Sequence, residues 1–246
     1  MRARYLLALQ ELKGNGDLAG RLIVDVGCGD GAFSYMLARC GATVIGLDSE
    51  FAGVSLAHRM LSSVGAARVV TAAASCCACP LADCRTDLVV GLEVIEHLPC
   101  LPEFLGEAMR IMRPGGLLVL TTPNVEWRRN RGKARDPRHE KEYSAKELRD
   151  LLTASFVDVR VQGALPDNLD WPFGWLGRSS LPNRAWRGIA RLLAAANLNL
   201  FLYGVSPSAR PRHQLLLASA RKPQAGTNDG DQTASNAGKS IAVERP

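Results

Sequence analysis

The stretch Leu22-Ile-Val-Asp-Val26 runs straight into Gly27-Cys-Gly-Asp-Gly31, and Phe33, Met36 and Leu37 follow at helical spacing up to Gly41. A buried strand, a turn with glycine at every second position and then a helix leave few ways to fold. The turn brings backbone close to whatever lies above the strand, and the first N–H groups of the helix face the same way. The alternation continues with a strand at 43–47 ending on Asp48, a helix from about 51 to 64 and a short strand near 68–71. A strand at 87–92 and a helix at 102–112 come next, and Arg113-Pro-Gly-Gly116 turns the chain into a strand at 117–122. Ser144 and Glu147 have the spacing of a capping box, opening a helix to about 155. Strands at 157–162 and 213–220 complete the pattern. This spacing predicts an α/β fold: a mostly parallel seven-stranded sheet, helices on both faces and an insertion before the last strand.

The 246 residues suit one domain at 1–222, with 223–246 reading as a disordered tail poor in large apolar residues. The insertion, about 164–212, carries Trp171, Trp175 and Trp186 and a helical pattern over 183–202 with Arg184, Arg187 and Arg191 on one face. It reads as a helix packed on the domain, a substrate lid or an interfacial membrane helix. No apolar run reaches the ~18 residues of a membrane span. The N-terminus starts basic and apolar, but Gln10, Glu11 and Lys13 end the apolar stretch early. That pattern predicts an amphipathic helix of a cytoplasmic protein, not a signal peptide.

Seven cysteines without framework spacing suit a reducing compartment. Cys76, Cys77, Cys79 and Cys84 lack the second pair that zinc requires and read as small buried side chains. The net charge of +6 is concentrated in Arg128, Arg129, Arg131, Lys133, Arg135, Arg138 and Lys141, opposed locally by Asp136 and Glu140. That run is a solvated loop, or a surface that meets an anionic substrate, a nucleic acid or a membrane.

Asp48, about twenty residues beyond the glycine turn, is placed to accept hydrogen bonds from ribose hydroxyls. Val24-Asp-Val-Gly-Cys-Gly-Asp-Gly31 resembles the first motif of class I S-adenosylmethionine-dependent methyltransferases. Asp87-Leu-Val-Val, Glu93-Val-Ile-Glu-His97-Leu, Met112-Arg-Pro-Gly-Gly-Leu-Leu-Val-Leu and Thr122-Pro-Asn124 follow in that superfamily's order. The resemblance spans about residues 20–163, with the final strand again at 213–220. It implies a Rossmann-like fold and S-adenosyl-L-methionine as cofactor, with Gly27, Gly29, Asp48 and Glu93 lining its site and Asp25 helping to hold the methionyl end. Where relatives carry an acid for the adenine amino group, this chain has Ser75, whose hydroxyl accepts more weakly than a carboxylate.

Glu93-x-x-Glu96-His97 follows a strand directly and so lies at the carboxyl end of the sheet. Two carboxylates and an imidazole are a ligand set for Mg²⁺ or Mn²⁺. The pattern is similar to that of quinone-pathway O-methyltransferases and small-RNA 2′-O-methyltransferases, both metal-assisted. The RNA family implies a further histidine, here His139 in Arg135-Asp-Pro-Arg-His139-Glu-Lys-Glu-Tyr-Ser144. Metal-independent methyltransferases share both features, with the histidine as a base or a structural hydrogen-bonder, so His97 and then His139 are also the candidate bases. His58 and His213 read as structural. The expected reaction is methylation of a hydroxyl on an anionic small-molecule or lipid-like acceptor, with a metal-dependent RNA 2′-O-methyltransferase as the alternative. Two other classes stay open: a nucleotide-dependent oxidoreductase, disfavoured by Ala32 where a third glycine would open the helix, and a non-catalytic cofactor-binding protein.

Overall fold

The computed structural model describes residues 3–99, 101–166, 205–206 and 213–224. Its strands are β1 (Leu22–Val26), β2 (Thr43–Asp48), β3 (Val69–Ala73), β4 (Thr86–Leu92), β5 (Met112–Pro123), β6 (Val157–Pro166), β7 (Val205–Ser206) and β8 (His213–Arg221). They form one sheet in the order β3-β2-β1-β4-β5-β8-β6-β7. Pairing is parallel from β3 through β5, and β8 enters antiparallel between β5 and β6. Seven of these strands are the expected sheet. The eighth, two residues long, pairs with Gly163 and Ala164 at the edge. Most of the insertion, with its three tryptophans and its 183–202 helical pattern, lies outside the described residues, as does the tail from 225.

Alternation along each strand divides the apolar residues between two faces. Val89, Leu118 and Leu120 point to one core with α4 (Leu101–Ile111) and α6 (Ala145–Thr153). Leu88, Val90, Leu117 and Val119 point to the other with α1 (Ala3–Gly14) and α2 (Ala32–Arg39). The helix α3 (Phe51–Ser63) links β2 to β3. At the N-terminus, Leu7, Ala8 and Leu12 of α1 are buried, so the expected amphipathic helix is present. The capping box at Ser144 and Glu147 is also present.

Two local features depart from the sequence reading. The turn at 113–116 is taken inside β5, because Met112 already pairs with Thr86 before the register shifts ahead of Leu88. A short helix, α5 (Val125–Asn130), opens the basic segment, with the Asn124 side chain accepting from the Glu126 N–H at 3.0 Å.

The chain leaves β1 toward β2 and β3 and returns to β4 on the other side, which creates a crevice at the carboxyl ends of β1 and β4. Gly27 stands there with φ +67°, and a Cβ on it would clash with Cγ2 of Val94. Gly29 has φ +52° but nothing within 4 Å of such a Cβ. Gly27→Ala should therefore destabilise the fold by about 1–3 kcal/mol of backbone strain plus the clash, and Gly29→Ala by less. Thermal unfolding checks the order, at roughly 2–4 °C per kcal/mol for a domain of this size. Equal melting temperatures for the two variants would refute the close approach.

Candidate functional site

The crevice holds a cavity of about 300 Å³ lined by Asp25, Gly27, Cys28, Gly29, Asp30, Phe33, Leu92 and Glu93, with Arg4 and Tyr5 of α1 across its mouth. Two other hollows, around Asp87 at the opposite edge of the sheet and beside His58, lie away from these motifs. Asp25 is 2% exposed and accepts from the Ser34 hydroxyl at 2.5 Å. Burial pushes its carboxyl up to about 7, against the lowering effect of that bond. Asp48 ends β2 with one oxygen accepting from Gly29 N–H and the other from Glu50 N–H, both at 2.9 Å. It thereby ties the glycine turn to the second strand at the position expected for ribose recognition. Ser75 is exposed just beyond β3, and its hydroxyl accepts from Cys77 N–H at 3.2 Å.

Glu93 follows β4 with φ +57°, a conformation uncommon outside glycine and concentrated at functional sites. Its carboxylate forms an ion pair with Arg4. The sequence reading had no signal for Arg4, because its partner lies 89 residues away.

Glu96 and His97 sit on the short 3₁₀ turn Ile95–His97. Glu96 is 1% exposed, accepts from the Thr122 hydroxyl at 2.9 Å, and is raised to about 7 by burial. Its main-chain carbonyl accepts from Glu140 N–H at 2.8 Å and Lys141 N–H at 3.2 Å, which fastens the loop carrying His139 to the turn. His97 Nδ1 lies 3.0 Å from the Arg138 carbonyl, and His139 Nδ1 lies 3.0 Å from a Glu142 oxygen. A nitrogen facing a carbonyl oxygen must carry the proton, so His97 in its neutral form leaves Nε2 as the acceptor. The rings meet edge to face, with centroids 4.8 Å apart. Glu96, His97 and His139 each offer a ligand atom within 4.8 Å of the others. Glu93, expected as a fourth member, is not in this group; its carboxylate is turned to Arg4.

A family model described as a methyltransferase domain matches residues 1–155. The chain belongs to that family, within the class I S-adenosylmethionine-dependent superfamily. A probable S-adenosylmethionine-dependent methyltransferase of Mycolicibacterium smegmatis is 36% identical over 142 residues, 57% of this chain and 53% of the relative. A ubiquinone biosynthesis O-methyltransferase of a Methylobacterium species is 38% identical over 121 residues, 44% of this chain and 43% of the relative. The chain thus spans about half the length of the curated relatives it matches. Among solved structures, a SAM-dependent methyltransferase from Archaeoglobus fulgidus superposes with TM-score 0.59 at 21% identity, covering 89% of this chain and 94% of that one. Phosphoethanolamine N-methyltransferase 2 of Haemonchus contortus gives TM-score 0.59 at 18% identity, covering 89% and 52%. These two likenesses speak to the fold alone.

The methyltransferase domain carries its basic segment beside the Glu96–His97–His139 group. Arg128 turns inward and pairs with Glu142, whose side chain is 3% exposed. Arg129, Arg131, Lys133 and Arg135 are exposed, and Lys133 Nζ stands 4.4 Å above the Trp127 ring. His213 is buried, and a Cβ on Gly163 would meet its ring, in keeping with a structural role. Of the cysteine group, Cys79 is buried and Cys84 exposed. Cys77 is disulfide-bonded, which departs from the reduced set expected. Among the described residues, no cysteine joins a candidate metal group and no helix is long and apolar enough to cross a membrane.

Asp25 gives a pH test of this site. Its folded pKa lies above its unfolded one, so its contribution to stability is fully present below about pH 4 and is lost as the pH rises through about 7. Asp25→Asn keeps an acceptor for Ser34 but cannot ionise. Its melting temperature relative to the parent should therefore rise between pH 5 and pH 8, by roughly 2–4 °C for each kcal/mol relieved. A difference that stays flat over that range would contradict the buried-carboxylate account.

Proposed function

We propose that this domain transfers a methyl group from S-adenosylmethionine to a hydroxyl of an anionic small-molecule or lipid-like acceptor. The observation that carries the reading is the Glu96–His97 turn just after the strand whose end lines the crevice, with His139 brought beside it by its loop. The residues present fit the cofactor: in this reading the open face of Gly29 and the Asp48 carboxylate would receive its sugar, and the buried Asp25 and Glu93 its amino-acid end. When bound, it supplies an electrophilic methyl group on a sulfonium for in-line displacement. The protein's part is alignment, exclusion of water and removal of the acceptor's proton. His97 Nε2 is the base in this reading, and His139 the second candidate.

The same three side chains support a second reading, because two imidazoles and a carboxylate this close form a ligand set for a divalent cation. Two nitrogen donors favour Mn²⁺ over Mg²⁺. A metal would lower the pKa of a coordinated acceptor hydroxyl, and an RNA 2′-hydroxyl is the alternative acceptor in that case. Family membership weighs against the nucleotide-dependent oxidoreductase, and a non-catalytic cofactor-binding domain is separated by turnover itself. His97→Ala should lower kcat by about 10²–10⁴-fold while changing S-adenosylhomocysteine affinity little. Product S-adenosylhomocysteine is measured over a panel of hydroxylated aromatic acids, phenolic lipids and RNA ends. Loss of activity in chelator, restored by Mn²⁺, selects the metal reading; full activity in chelator selects the base.

The exposed cations of the basic segment support an anionic acceptor. Reversing Arg129, Arg131 and Arg135 to Glu should raise the acceptor KM about tenfold or more with kcat nearly unchanged, since ground-state attraction is what the change removes. A steep fall of affinity with salt would favour RNA over a small acid. Unchanged acceptor kinetics in the triple variant would leave the loop a solvated surface.

A further inference from the structure

We propose that Arg4 is a cofactor-binding residue: it receives the carboxylate at the amino-acid end of S-adenosylmethionine, with Glu93 accepting from the neighbouring ammonium. The proposal rests on the cofactor reading above and adds a residue outside every motif of the chain. Arg4 lines the crevice cavity together with Asp25, Gly27, Gly29 and Glu93. Its side chain is 22% exposed, and its guanidinium lies 5.4 Å from the Tyr5 ring centroid. Glu93 engages only Nη1. The Nε–H is buried and has no hydrogen-bond partner, one of two such side-chain atoms among the described residues.

A buried donor without an acceptor is costly, and in native proteins it calls for a ligand or other explanation. The Nε–H belongs to the side-on edge of the guanidinium, which pairs with carboxylates through two parallel bonds and which Glu93 does not use. Arg4 and Glu93 together present one positive and one negative group at the rim of the cavity. An α-amino acid end presents the complementary pair, carboxylate and ammonium, a few ångströms apart. Adenosine, by contrast, has neither charge, and in the cofactor reading its ribose falls to Asp48, which holds Gly29 N–H of the glycine turn.

The test compares two ligands that share the thioadenosine body. Calorimetric titration of the full chain with S-adenosylhomocysteine, which carries the amino-acid end, is set against 5′-methylthioadenosine, which lacks it. Arg4→Ala should weaken S-adenosylhomocysteine by roughly 10- to 100-fold, the range of a charge-assisted contact, and leave 5′-methylthioadenosine within about twofold. Retained 5′-methylthioadenosine binding also shows that the variant is folded. Arg4→Lys, which keeps charge but not the planar fork, should fall between parent and Arg4→Ala and serves if the alanine variant is unstable. Equal losses for both ligands, or no loss for S-adenosylhomocysteine in either variant, would overturn the role of Arg4 alone. A parent protein that binds neither ligand would overturn the cofactor reading, and this assignment with it.

Discussion

The close approach of Gly27 to Val94 is the contact on which the arrangement of the site depends. β1 and β4 are parallel neighbours at the point where the chain reverses its direction across the sheet. Their carboxyl ends come together because no Cβ separates them. One end continues as the glycine turn at 27–31, the other as the 3₁₀ turn carrying Glu96 and His97. A bulkier residue at 27 would pry these turns apart, and with them the crevice and the histidine group. Asp48 reinforces the contact from the β2 side by holding Gly29 N–H. Three adjacent strand ends thus set the crevice and the Glu96–His97 turn, while His139 is brought in by the loop that the Glu96 carbonyl holds.

Two buried carboxyls flank that contact, and each has a single hydroxyl donor: Ser34 for Asp25, Thr122 for Glu96. That hydroxyl bond and a backbone N–H bond to each carboxyl do not offset the loss of hydration of a full negative charge, which is why both are pushed up to about 7. Leucine or asparagine at either position would escape this penalty, because neither ionises.

Much of this was legible in the chain because the site is local in sequence. The strand–glycine–helix unit, Asp48 and Glu93-x-x-Glu96-His97 all lie at strand ends, where a two-residue period breaks off at a polar or glycine position. His139 was reachable only through resemblance, since nothing in the spacing brings a residue 42 positions beyond His97 onto it; the carbonyl of Glu96 does so, by holding the loop backbone. Arg4 and Glu142 were not legible. An arginine near an N-terminus and an acid within a basic run both look like surface residues, and their burial follows from where α1 and the 136–142 loop pack. α5 was missed for a different reason: a helix of six residues carries too short a period, and the charge of its arginines dominated the reading.

The basic segment is therefore two things in one run of sequence. Arg128 faces inward because Glu142 is buried and an unpaired carboxylate there would be strongly destabilising. Glu142 in turn holds His139 Nδ1, so the inward arginine fixes the imidazole by way of one carboxylate. The cations at 129, 131, 133 and 135 are exposed. Net charge of the loop says nothing about this division; only burial does. Removing Arg128 would leave a buried charge and loosen His139, a structural effect; among its outward neighbours Arg135 also donates to the Glu140 carbonyl of the loop that carries His139. Arg128 thus belongs to the frame that holds His139, and the outward set to the surface.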